Sequence, residues 1–540
     1  MVSRRSVLIY GIAGAPAIAA AGAMGGMWAT TATRRTGEQA GFTNKLVIPP
    51  LAPSDHDREG RRVFNLRATT GTMRFRAGAP TETWGINGPY LGPTLRARRG
   101  ETVLVNVRND LTEATTMHWH GMHVPAAMDG GPHQLIAPGT TWSPSWTIRQ
   151  PAATLWYHPH PHGRTARHVH HGLAGLFIID ENEALALPRH YGVDDIPVIV
   201  QDKRLNDDNQ LNEEIPTIGG MGVLGDLITV NGTVEPYLDV WSKRVRLRLL
   251  NASNSRFYNF GMADDRSFAL VGTDGGLLPA PLDTNRVQLS PGERAEIVVS
   301  LRPGERLMLR SYRSDLGINI GDQRYAGGGD ILDILELRAA SELFFSPPLP
   351  ATLAERPRLD VSAPTARRRF ELRDFKINGL LMDPGRIDVG VRKNTTEVWE
   401  IANLDHMPHN FHVHDVQFLI MSVDGGPPRP EVSGWKDTLY VKPGTRARIA
   451  MRFADYTDPQ IPYMYHCHIL WHEDQGMMGQ FVVLGPGEKP GILPMSHTHG
   501  RGVAAHRRGA ASNDRGAASH DRGAASHDRG PASHGRGPRR

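Results

Sequence analysis

The sequence predicts an all-β fold: three Greek-key β-sandwich domains followed by a disordered C-terminal tail. Glycine (58) and proline (40) are spread along the 540 residues, which favours short strands and many turns over long helices. One pattern then recurs three times. Ile86-Asn87-Gly88 leads to Val103–Asn109, Val230-Asn231-Gly232 to Val245–Asn251, and Ile377-Asn378-Gly379 to Val398–Asn403. The Asn-Gly turns lie 144 and 147 residues apart, each ahead of a β-rich run that ends in Asn. A repeat of that length is a whole domain, not the rung of a solenoid.

Residues 1–40 read as an export signal. Arg4-Arg5 forms a basic start, no charge follows from Ser6 to Thr33, and 13 of the 19 residues from Gly11 to Ala29 are Gly or Ala. That stretch is too weakly apolar for a stable membrane span, so none is expected after processing. The domains are expected at 45–185, 190–345 and 365–487. Residues 495–540 repeat Arg-Gly-Ala-Ala-Ser-His-Asp with small variations and hold six histidines. No repeat position is apolar beyond alanine, so this tail cannot bury enough surface to order itself.

Charge excludes one class of partner. The net +5 belongs to the ends: the tail carries nine Arg against three Asp, and residues 1–40 carry four Arg against one Glu. The body between them is mildly acidic, which argues against nucleic-acid binding. A disulfide scaffold is excluded by the single cysteine, Cys467.

Four segments carry the chemistry: His118-Trp119-His120-Gly121, His158-Pro159-His160-Pro161-His162, His409-Asn410-Phe411-His412-Val413-His414, and His466-Cys467-His468 continuing to His472 and Met477. On a strand, residues i and i+2 face the same way, so each His-X-His pair aims two imidazoles at one place. The pairs lie in the first and third repeats. The second has Ser255-Arg256-Phe257 where the others have histidine, and reads as structural. Cys467 alternates to the face opposite His466 and His468, with His409 and His472 available to join it and Met477 ten residues on. Two His, one Cys and a weak axial Met make an electron-transfer copper site, the thiolate being a soft ligand that suits copper.

These segments, in this order on three domains, resemble the multicopper oxidases over about residues 45–485. The nearest group is that of the bacterial copper-efflux oxidases, bilirubin oxidases and spore-coat laccases. The resemblance implies cupredoxin-like domains and four copper ions. Type 1 copper would take His409, Cys467, His472 and Met477. Type 2 would take His118 and His412, and the type 3 pair His120, His158, His160, His414, His466 and His468. It implies an oxidoreductase that passes single electrons from a small phenolic, aromatic-amine or cuprous substrate to O2. Asp129 and Glu473 match its proton-relaying acids. Asp405 and Met407 match positions that hold a labile copper in the copper-efflux oxidases. That group's Met-rich insert is missing between Arg358 and His409, which favours laccase-like oxidation over cuprous-ion oxidation. Ser3-Arg4-Arg5-Ser6-Val7-Leu8 resembles a twin-arginine signal, implying that export machinery as a partner and a periplasmic, cell-wall-associated or secreted location. Two other classes stay open: a zinc hydrolase using His-X-His pairs with an acid such as Asp415, and a copper-binding scaffold without catalysis, although no ligand position has been lost. The remaining histidines of these regions (His123, His133, His162, His168, His170, His171 and His406) are expected either to support the ligands or simply to be solvated, and the rings of Trp119 and Trp156 to pack around the metal.

Overall fold

The computed structural model describes residues 41–491, apart from 181–184, 216–219, 320–322 and 324. The expected signal at 1–40 and tail at 495–540 lie outside these residues. Among the described residues, no helix is long and apolar enough to cross a membrane.

Strands form where apolar residues alternate with polar ones. Thr102–Asn109 buries Val103, Val105 and Val107 and turns the residues between them outward. Such strands stack into three cupredoxin-like sandwiches of two sheets each. The first pairs a sheet ordered Leu95–Arg98, Gly175–Asp180, Ala153–His158, His118–His120 with one built on Arg62–Met73 and Thr102–Asn109. The middle sandwich sets a sheet of seven strands against one of six. The third packs two five-stranded sheets around Phe370, Trp399, Phe411, Tyr465 and Phe481. One strand crosses the expected boundary: Asn44–Lys45 pairs in parallel with Pro236–Tyr237 and so extends the middle sandwich.

The triplication is exact at the level of hydrogen bonds. Arg62–Met73 with Thr102–Asn109, Asp195–Lys203 with Arg244–Asn251, and Ala366–Arg373 with Thr395–Asn403 are the same parallel pairing. Asn87, Asn231 and Asn378 sit at φ between 51° and 58°, left-handed backbone that Asn tolerates. Each side chain latches the neighbouring strand, accepting from Arg67, Ile199 or Glu371 N–H and donating to the carbonyl two residues earlier, of Asn65, Pro197 or Arg369. The Asn ending each run is equally committed. Asn109, Asn251 and Asn403 accept from the N–H two residues on and donate to two carbonyls, so each closes the loop behind its strand.

Buried polar groups join the sandwiches. Arg248 of the middle one bonds Asp195, Glu296 and the Thr154 hydroxyl of the first. Lys203 passes the ring of Tyr90 and donates to the His170 carbonyl (2.5 Å), its amine lowered by burial to about 7.

Candidate metal centre

Strand ends, more than strand interiors, aim the histidines. Only His118–His120 lies wholly within a strand. Ala153–His158 stops at His158, where Pro159 offers no N–H to continue the ladder, and Asp458–His466 stops at His466. His409 and His412 are three apart on the strand His409–Val413 and so face opposite ways, His409 toward Cys467 and His412 toward the other histidines. Cys467 and His468 likewise diverge.

The first group is a triangle. Cys467 Sγ lies 3.6 Å from Nδ1 of both His409 and His472, and those two nitrogens are 3.1 Å apart. Each ring is held by its far nitrogen: His409 Nε2–H donates to Asp405 (3.2 Å) and His472 Nε2–H to the Gly220 carbonyl (2.8 Å). Asn410 Oδ1 lies 3.5 Å from the sulfur and accepts from the His468 N–H. Met477 is fully buried, and its carbonyl accepts from the Cys467 N–H. Burial pushes the thiol up to about 12, so a cation binding here must displace its proton.

The second group holds eight buried imidazoles. His160, His414 and His466 bring Nε2 atoms together, with His466 3.1 Å from His160 and 3.2 Å from His414. His120, His158 and His468 form another triad with ring centroids 4.8–5.7 Å apart. His118 and His412 meet edge-on, their centroids 5.9 Å apart, while His118 stacks on His414 and His412 on His120. Burial drives His120, His158, His412, His414 and His468 well below 6.5, and His160 to about 3. Those six rings are therefore neutral, as metal binding requires.

Most rings are tied back by one nitrogen. His118 Nδ1–H donates to the Asp129 carbonyl, His158 Nδ1–H to that of Pro159, and His412 Nδ1–H to that of Asp437. Nε2 of His118, His158 and His412, and Nδ1 of His120, then have no protein partner. Buried acceptors without donors are costly, and a cation satisfies them. The donor set fits copper: imidazole in one group, imidazole with thiolate in the other.

The expected acids are at the cluster. Asp129 Oδ2 accepts from His414 Nδ1–H (2.7 Å), and the Glu473 oxygens lie 3.3 Å from His160 Nδ1 and 3.2 Å from His466 Nδ1. Gly130, at φ +79°, makes the turn beside Asp129; a Cβ there would stand 1.8 Å from the Met117 carbonyl oxygen. Asp405 lies at the first group, but its carboxylate already accepts from His409 and from the Asp374, His406 and Met407 N–H groups, with the His406 ring 2.9 Å away. Burial opposes the charge there, yet these bonds hold the carboxyl well below the usual range. Met407 is half-buried against Gly220.

The other histidines bond elsewhere. His123 bridges Asp415 and Asp455, His133 reaches Gln480, and His168 and His171 pair with Glu113 and Glu213. His162 and His406 are exposed. Trp156 stacks on His158 at 4.1 Å, as expected. Trp119 does not: alternation turns it into the core of the first sandwich, against Trp142 and Trp146.

Three residues were not singled out in the sequence. Asp437 accepts from His120 Nε2–H (3.0 Å), Asn410 spans the two groups, and Arg294 of the middle sandwich grips Asp437. No local motif marks them; their roles follow from partners as far as 317 residues away.

Three family models described as multicopper oxidase match residues 67–184, 219–319 and 352–486. Among curated relatives, multicopper oxidase mco of Staphylococcus haemolyticus is 36% identical over 82% of this chain and 92% of its own. Cell division protein FtsP of Dickeya dadantii is 38% identical over 83% and 94%. Among solved structures, the laccase-like multicopper oxidase CueO of Ochrobactrum sp., titled as having oxidase activity towards lignin model compounds and lignosulfonate, aligns with a TM-score of 0.74. It is 36% identical and covers 81% of this chain and all of its own. With its buried histidines and lone cysteine gathered into two donor sets, the chain belongs to the multicopper oxidase family of copper-dependent oxidoreductases.

Proposed function

We propose that the protein is laccase-like, coupling four one-electron oxidations of a phenolic or aromatic-amine reductant to the reduction of O2 to two waters. Four copper ions would serve: type 1 at His409, Cys467, His472 and Met477, type 2 at His118 and His412, and a type 3 pair at the triads His120–His158–His468 and His160–His414–His466. When bound, the four ions together would store the four electrons that O2 takes up, one at the first group and three at the second.

The observation that carries this reading is the position of Cys467. Its sulfur sits 3.6 Å from two imidazoles of one group, while the residues on either side, His466 and His468, belong to the other. One peptide bond in each direction therefore links the two centres. Asp129 and Glu473 are held where a proton can be kept beside the cluster, at His414 Nδ1 and at His160 and His466 Nδ1. An aromatic reductant suits the far side of His472, where the half-buried Phe375 ring lies 4.9 Å from the imidazole and 5.0 Å from Trp471.

Cuprous-ion oxidation is the second reading, favoured by the nearness of Asp405 and Met407 to His409. The saturation of the Asp405 carboxylate weighs against it. Oxygen uptake with a dimethoxyphenol separates the two: fast uptake without free copper supports the laccase, and uptake only after copper is added supports a labile ion at Asp405 and Met407. Cys467→Ser should abolish both the blue absorption and turnover; retention of either would sink the assignment. Residues 1–40 fit twin-arginine export, which would place the enzyme outside the cytoplasm.

A further inference from the structure

The middle sandwich provides none of the clustered donors, yet one of its side chains reaches the oxygen-reducing group. Arg294 begins the strand Arg294–Ser300 and is fully buried. Its guanidinium holds the Asp437 carboxylate at both ends, Nη1 to Oδ1 at 2.8 Å and Nη2 to Oδ2 at 2.6 Å. Its remaining donors go to carbonyls: Nε to Thr154 of the first sandwich (3.0 Å), Nη1 to Gly292 (3.0 Å) and Nη2 to Asp274 (2.9 Å). One side chain thus bonds all three sandwiches at one point.

Asp437 passes this constraint to two rings. Its Oδ1 accepts from His120 Nε2–H, leaving His120 Nδ1 as the nitrogen without a protein partner, and its carbonyl accepts from His412 Nδ1–H at 2.9 Å. Thr438 Oγ1 closes the network on both rings and on Asp437 Oδ1. The glycine of His118-Trp119-His120-Gly121 is required by the same contact. A Cβ on Gly121 would stand 2.5 Å from Asp437 Oδ2 and 2.8 Å from Arg294 Nη2. The loop before Arg294 presses on a third ring, since a Cβ on Gly292 would lie 2.9 Å from His468 Nδ1.

We propose that Arg294 is a positioning residue for the oxygen-reducing cluster, fixing through Asp437 the orientation of His120 and His412. The middle domain thereby sets the geometry of a metal site to which it gives no ligand. This rests on the proposed role of those histidines as copper ligands. A bidentate guanidinium–carboxylate pair is stiff in two directions, which a lysine in the same place would not be. Groups that orient metal-bound histidines typically govern metal affinity by about 10–100-fold.

The test compares Arg294→Gln, Arg294→Lys and Asp437→Asn with the copper-loaded wild type, and uses Arg256→Gln as the control for loss of a buried middle-domain arginine. Arg256 pairs with Asp202 and Asp330 and touches none of the clustered histidines. Copper per chain, the blue absorption, the type 2 resonance in electron paramagnetic spectra and the thermal midpoint are read together. The expected result is that Arg294→Gln keeps the blue absorption while losing copper from the cluster, with affinity there down about 10–100-fold. Arg294→Lys should recover part of it, and Asp437→Asn should alter the type 2 resonance. Arg256→Gln should lower the midpoint while keeping the full copper complement. Full copper and an unchanged type 2 resonance in all folded Arg294 and Asp437 variants would overturn the proposal. So would equal copper loss in Arg256→Gln. If Arg294→Gln does not fold, Arg294→Lys and Asp437→Asn decide. A wild type that lacks type 2 and type 3 signals would instead overturn the ligand assignment on which the proposal rests.

Discussion

Asp129 does two things with one residue. Its carbonyl orients His118, and its carboxylate accepts from His414, so backbone and side chain act on different rings. Asparagine keeps the backbone contact and nearly the same shape while removing the acid. Asp129→Asn should therefore retain copper and the blue absorption while turnover falls about 100-fold, the usual size of a lost proton-transfer group. Oxygen uptake alongside metal analysis checks this, and unchanged turnover would refute a proton role. The donor residues could be found in the sequence because histidine and cysteine at these spacings have few other uses. Asp437 and Arg294 could not be, since aspartate and arginine are common and nothing local distinguishes these two from surface neighbours. Asp405 shows a further gap: the resemblance offers its carboxylate to a labile copper, whereas the fold spends it on His409 and three N–H groups.

Elements repeat more faithfully than their residues do. The three strand-ending asparagines make the same three hydrogen bonds, although the loops they close carry different sequences. Replacing any of them by alanine leaves one donor and two acceptors unpaired in the interior, a cost of about 2–4 kcal/mol. Asn251→Ala and Asn403→Ala should thus lose similar stability in chemical denaturation. Only Asn403→Ala should also shift the blue absorption, because its loop runs through Asp405 and Met407 into His409. Equal spectra in the two variants would refute that link. The turns and runs behind these asparagines were legible from spacing alone. The strand ends were less so: His160, His414 and His468 sit just beyond their strands, where strict alternation no longer dictates direction.

At the scale of the whole molecule, the junction between the first and middle sandwiches contains a buried amine with a pH signature. Lys203 loses its proton near pH 7 in the folded protein, whereas the unfolded chain keeps it until about 10.5. Between those values the unfolded state binds more protons, so stability rises with pH across the window. Lys203→Met should raise stability at pH 7 by about 2–5 kcal/mol and flatten the rise from pH 7 to 9, as read from denaturation midpoints. A rise unchanged by the substitution would assign the dependence to other groups.

The eight imidazoles of the cluster come half from residues 118–160 and half from 412–468, and Arg294, between them in the chain, grips the aspartate behind two of them. A chain still being synthesised has no cluster to fill until its last domain is complete. Oxygen chemistry is therefore deferred until the third domain has been made, and products truncated before His468 are born without it.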